Sequence, residues 1–289
     1  MERKKHKVLD HTIISYFLMI IFSLTFISLG SFIDIGIAKI WPEYGSESFS
    51  QVSGKVLNTS SGVGYAFGAL VAVQIFYLWF RGEYKGILIK KGILTGLLLL
   101  VPFFIMALIG SICGWVQFGI SGVLVAFFRA FSPGFGEEIM FRGMGVANYM
   151  RKVKDEKQIL IIFWLSSIVF GVVHMGNVNS GAGILTSALQ SFAALGIGMI
   201  YGAVYLRTGN LWPTIILHTL TDFMEFIRKD LGESGGPVVN VGIGDWISVA
   251  AGVLGGIYGL YLVSSKFRPE ILELWQDKWA VTTESSESN

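Results

Sequence analysis

What this chain has little of narrows it before any motif is read. One cysteine, Cys113, excludes an intramolecular disulfide framework, and its place in an apolar stretch fits a small packed side chain. Charge is scarce as well: 15% of the 289 residues are Asp, Glu, Lys or Arg, 53% are hydrophobic, and the net charge is only +2. With a mean hydropathy of +0.62, that balance excludes a soluble domain of this length and leaves a membrane protein. Nucleic acid is excluded as a partner, because the basic residues fall in short clusters between apolar runs rather than on one patch. There is no solenoid-type repeat, no P-loop and no Gly-x-Gly-x-x-Gly fingerprint. The first apolar run follows Arg3-Lys4-Lys5-His6-Lys7 but lacks an Ala-x-Ala cleavage site. It also exceeds the ~7–15 residues of a signal-peptide core, so it reads as a membrane span.

What is present is a series of such runs. A bilayer core takes about 20 apolar residues of helix, and on that rule eight spans are expected, at roughly 13–40, 61–80, 87–112, 119–150, 158–176, 183–206, 211–227 and 242–264. The expected fold class is all-α: a single polytopic membrane bundle over 1–289, with loops at 41–60 and 228–241 and a disordered tail at about 281–289. Ser132-Pro133-Gly134 interrupts the fourth run and predicts a kink or break there. With the N-terminus placed inside, sixteen Lys and Arg side chains fall on the inner side and four on the outer, Arg129 and Arg142 lying within the fourth span. That asymmetry predicts a cell-membrane protein with both termini cytoplasmic. Trp41, Trp79, Trp115, Trp164, Trp212 and Trp246 fall near span ends or breaks, as interfacial anchors do. Gly196, Gly198 and Gly202 in the sixth span predict close helix packing, and Gln190 fits either a packing hydrogen bond or a cavity wall.

Ionisable residues at membrane depth are costly and mark functional sites. Six stand out here. Glu137, Glu138 and Arg142 lie in the fourth span, His174 near the end of the fifth, and His218 and Asp222 in the seventh; the other histidines, His6 and His11, precede the first span. Glu138 and Arg142 are four apart and form a pair on one helix face, which leaves Glu137, about 100° away, free for other work. His218 and Asp222 are also four apart, so the carboxylate is placed to orient the imidazole. Structural readings of each are a stapling ion pair for Glu138 and Arg142, a helix-end cap for His174, and a bundle-gluing hydrogen bond for His218 and Asp222.

Taken in order, three segments resemble the CPBP intramembrane protease family, which includes the CAAX prenyl endopeptidases of the Ras-converting type. Glu137-Glu138-Ile139-Met140-Phe141-Arg142 fits Glu-Glu-x-x-x-Arg, Phe170-Gly171-Val172-Val173-His174 fits Phe-x-x-x-His, and His218-Thr219-Leu220-Thr221-Asp222 fits His-x-x-x-Asn/Asp. The likeness covers about 118–225, including Gly209-Asn210-Leu211-Trp212-Pro213. It implies an intramembrane endopeptidase in which Glu137 and His174 activate water, His218 donates to the oxyanion, and Glu138 with Arg142 holds the helix. Asp222 stands where the pattern also allows Asn; a carboxylate does not donate, so its expected role is to orient His218. The resemblance implies either no cofactor or a zinc ion, with Glu137, His174 and His218 as the ligand set in the second case. The expected partners are the bilayer and a membrane-associated peptide or protein substrate. Two other readings remain open from the sequence: a transporter using the buried charges, and a non-catalytic peptide-binding or bacteriocin-immunity protein.

Overall fold

A computed structural model describes residues 12–40, 63–80, 92–229 and 240–280. The N-terminal basic cluster with His6 and His11, Trp41, most of the two expected polar loops and the C-terminal tail lie outside the described residues. Ten α-helices are found, with no strand among the described residues: α1 Thr12–Ile40, α2 Val63–Trp79, α3 Ile93–Leu99, α4 Val101–Glu138, α5 Ala147–Met150, α6 Glu156–Val173, α7 Ile184–Thr208, α8 Trp212–Lys229, α9 Ile243–Leu262 and α10 Arg268–Ala280. A π-helical stretch, Ile139–Val146, joins α4 to α5, and a 3-10 turn, His174–Ser180, follows α6. Among the described residues, four helices are long and apolar enough to cross a bilayer, at Thr12–Gly36, Glu156–Asn179, Ile184–Thr208 and Ile243–Leu262, and α2 is a shorter apolar helix. Their outer faces carry side chains such as Phe32, Leu78, Ile184 and Ile257, all more than half exposed, the surface a lipid-facing bundle presents.

The expected break at Pro133 is not where the helix changes. Pro133 sits inside α4, and the irregularity begins at Ile139, where the backbone widens into π turns whose eight residues are all buried. π turns of this kind commonly occur at functional sites. Gly134 explains why the Pro-Gly pair is tolerated: a Cβ there would come within 2.7 Å of the Thr219 nitrogen, so its absence lets α4 and α8 touch backbone to backbone. The expected boundary between the third and fourth spans falls inside α4, which runs as one helix over Val101–Glu138. Gly96 of α3 packs on Pro213 at the start of α8, and Phe127 meets Phe223 at 6.5 Å and Gly134 meets Thr219. The second half of α4 therefore runs back toward the start of α8.

Glycine contacts set the other crossings. A Cβ on Gly30 would overlap the Gly64 carbonyl, and one on Gly68 the Phe26 carbonyl, so α1 and α2 pack at backbone distance. Asp34 of α1 accepts the Gly64 N–H at 2.9 Å, satisfying a first-turn donor of α2. The expected small-residue face of the sixth span divides among partners. Gly196 meets Gly252 of α9, Gly198 faces Phe170 and Arg142, and Gly202 has ordinary clearance from Ser166 and Ser167. Asp155 starts α6 by accepting the Gln158 N–H at 3.1 Å.

At the end of the bundle that carries Arg151 and Arg207, α10 lies across the helix ends. Trp275 Nε1 donates to the Leu206 carbonyl at 2.9 Å, Trp279 Nε1 to the Ala147 carbonyl at 3.1 Å, and Lys278 Nζ to the Gly209 carbonyl. Arg207 pairs with Glu270 at 3.2 Å, and Arg268 with Glu156 at 3.6 Å. Gly209 ends α7 at φ 60°, the left-handed conformation that glycine adopts without strain. Carbonyls that helix ends leave orphaned are thus met by indole and amine donors. Trp275 and Trp279 are buried by this docking, whereas Trp79, Trp164 and Trp246 are exposed in the manner of interfacial anchors.

Candidate active site

The site is assembled where α4, the π stretch, α6 and α8 meet, with α7 behind them. The π stretch carries Arg142 inward, and its guanidinium is wholly buried. Arg142 Nη1 donates to Glu138 Oε1 at 2.8 Å and Nη2 to the Gly198 carbonyl at 3.3 Å, while the guanidinium lies 4.1 Å from the centre of the Phe170 ring. The pairing expected from the four-residue spacing is therefore present, and it is supported by a cation–π contact.

Glu138 does more than hold Arg142. The same Oε1 lies 3.1 Å from His218 Nδ1. Because that oxygen already accepts from a guanidinium, Nδ1 is the donor, and this directs Nε2 toward the other carboxylates. His218 Nε2 stands 3.6 Å from Asp222 Oδ2 and 3.9 Å from Glu137 Oε2. Glu138, expected only to pair with Arg142, thus makes the shorter contact to His218. Asp222, expected to orient that ring, is the more distant neighbour. The Tyr201 ring lies 5.5 Å from that of His218, tilted by 37°, and fixes its plane from behind.

His174 ends α6. Its Nδ1 lies 2.8 Å from the Phe170 carbonyl. A carbonyl accepts only, so Nδ1 carries the hydrogen and Nε2 presents its lone pair. The Phe170 ring links this histidine to the rest, since its centre lies 4.9 Å from that of His174 and 5.8 Å from that of His218. Beyond His174, Asn177 Nδ2 donates to Gln190 Oε1 at 2.8 Å, which settles the ambiguous Gln190 as a packing hydrogen bond between the 3-10 turn and α7.

Five buried polar atoms here lack a hydrogen-bond partner: Glu137 Oε2, Glu138 Oε2, Arg142 Nε, Thr219 Oγ1 and the Tyr201 hydroxyl. Buried polar atoms are nearly always paired with protein, water or ligand, so orphans on three converging helices mark where another polar molecule belongs. Glu137, His174 and His218, the ligand set expected for a zinc ion, are not drawn together in this arrangement: among the described residues no three His, Cys, Asp or Glu side chains are grouped to hold an ion.

Sequence reasoning named the six polar residues of this region but not Tyr201 or the bridging place of Phe170. The first carries no motif spacing, and the second entered only as a motif letter.

Comparison with known proteins bears on the same segment. Residues 119–224 match the family model described as type II CAAX prenyl endopeptidase Rce1-like. Over that segment the chain is similar to the CAAX prenyl endopeptidases. A 101-residue stretch is 30% identical to CAAX prenyl protease 2 of Saccharomyces cerevisiae, covering 31% of this chain and 32% of the yeast protein. The match thus spans about a third of the length of that curated relative. No solved structure gives a significant match. All six site residues fall inside the matched segment, whereas α1, α2, α3, α9 and α10 fall outside it.

Proposed function

We propose that this protein is an intramembrane endopeptidase of the CAAX type, acting on a membrane-associated peptide or protein. The observation that carries the reading is Glu137 Oε2, buried without a hydrogen-bond partner and 3.9 Å from His218 Nε2. A carboxylate held this way takes a proton from water.

In the proposed reaction a water held by Glu137 and by the Nε2 lone pair of His174 attacks the peptide carbonyl. Its oxygen bonds to carbon, its proton passes to Glu137, and the carbonyl π pair moves onto oxygen. His218, as the imidazolium with Nδ1–H on Glu138 and Tyr201 behind its ring, donates to that oxygen through Nε2–H. Collapse of the adduct breaks the C–N bond, and the proton on Glu137 passes to the leaving amine. Arg142 balances Glu138 throughout and keeps it an acceptor for His218. These steps use the side chains alone.

The test uses purified protein in detergent or nanodiscs with two fluorogenic probes, a farnesylated CAAX peptide and an unprenylated transmembrane peptide. Cleavage of either by wild type, lost in both Glu137→Ala and His174→Ala, supports the reading. Absence of cleavage of both probes by wild type, or full cleavage by the variants, overturns it. Turnover that survives exhaustive chelation supports the metal-free mechanism, and loss on chelation that added zinc restores overturns that part.

A further inference from the structure

Three carboxylates surround the reaction centre, but few donors face it. Asp222 accepts and does not donate when ionised, Arg142 is committed to Glu138 and Gly198, and His218 Nδ1 is committed to Glu138. An oxyanion forming here has His218 Nε2 as its one assigned donor, although such sites gain most from donors aimed before the charge appears.

A further donor comes from outside the family-matched segment. Tyr65, on α2, is buried, and its ring lies on Gly136, the residue before Glu137. A Cβ on Gly136 would overlap Tyr65 Cε1 and come within 3.4 Å of Cζ, the carbon that bears the hydroxyl. That hydroxyl is within electrostatic reach of two carboxylates, Glu137 and Asp222. The Tyr201 hydroxyl instead interacts with Thr221, Glu138 and Arg142 as well as Asp222.

The placement of Tyr65 is built in. Asp34 fixes the preceding residue by accepting the Gly64 N–H at 2.9 Å. Gly30, Gly64 and Gly68 let α1 and α2 meet at backbone distance, and Gly136 leaves the space that the ring fills. A larger residue at any of these positions would shift the ring. Nothing in the packing calls for the hydroxyl, since phenylalanine has the same ring.

We infer that Tyr65 is a catalytic residue of the proposed peptidase, its hydroxyl donating to the oxyanion and supplying the hydrogen bond that Asp222 does not. The inference rests on the proposed function. As the water oxygen bonds to carbon and its proton passes to Glu137, the carbonyl oxygen gains the π pair and accepts the Tyr65 O–H. The phenol keeps its proton, and the hydrogen bond is released when the C–N bond breaks.

The test is a double-mutant cycle on whichever fluorogenic probe wild type cleaves. Tyr65→Phe lowers kcat about a hundredfold, the scale of losing one oxyanion donor, with KM and thermal stability near wild type. In an Asp222→Asn background, where the amide offers a donor, the same change costs about tenfold or less. Equal losses in both backgrounds, or unchanged kcat in Tyr65→Phe, overturn the inference. A loss accompanied by a fall in thermal stability, and not relieved by Asp222→Asn, identifies Tyr65 as packing and overturns it too. Glu137→Ala separates the two claims. If it is inactive while Tyr65→Phe turns over normally, the inference alone fails; if it cleaves at full rate, the peptidase reading fails with it.

Discussion

Glu138 and His218 lie 80 positions apart in the chain and 3.1 Å apart in the bundle, with Arg142 on the same carboxylate oxygen. This three-residue chain joins the π stretch to α8. Removing its centre leaves a buried guanidinium without its carboxylate. Breaking one partner of such a pair costs about 3–5 kcal/mol, so Glu138→Ala is expected to lose thermal stability strongly and turnover with it. Glu138→Gln, which can still accept from Arg142, is expected to fold and to lose turnover chiefly. Unfolding in detergent together with probe cleavage reads both effects.

His174 is expected to behave in the opposite way. It is only partly buried, at the end of α6, and its single recorded hydrogen bond goes to a carbonyl of its own helix. His174→Ala is therefore expected to leave the unfolding midpoint almost unchanged. A positioned base contributes about 10²–10⁴ in rate, and kcat should fall on that scale. A strong loss of stability would identify the residue as a structural cap.

Lys278 gives the basic end of the bundle a pH dependence. Burial pushes its amine down to about 7 from an ordinary 10.5. A lowered amine pKa means that the unfolded chain binds more protons between those values. Stability is therefore expected to rise as pH increases from about 7 toward 10, and to be lower but level, for this group, below 7. Lys278→Met is expected to flatten the slope. Unfolding midpoints of the two proteins across that range decide it.

The charge pattern predicts which side each end faces. With Cys113 replaced by serine, Gly176→Cys is expected to react with an impermeant thiol reagent added outside intact cells. Ser265→Cys is expected to react only after permeabilisation. Both positions are exposed. The reverse labelling would invert the proposed orientation.

Membrane class and the six site residues were legible because so few charges occur in the apolar runs that each one is informative. Helical spacing also read the Glu138–Arg142 pair correctly. Spacing names only partners on the same helix, however, and so gave His218 its i+4 neighbour Asp222 in place of the nearer Glu138 on another helix. Pro133 signals a local loss of hydrogen bonding, which α4 absorbs beside Gly134. The π turns that shape the site arise in Ile139–Val146, whose composition carries no breaker comparable to proline. Tyr65 was invisible for another reason: its meaning depends on Gly136, seventy-one positions away.

The docking of α10 also has a consequence for the order in which the bundle is completed. Residues 268–280 are synthesised after every residue of the site, yet they supply the donors for carbonyls at Ala147, Leu206 and Gly209. Until that helix leaves the ribosome, the finished spans carry open ends on their basic side.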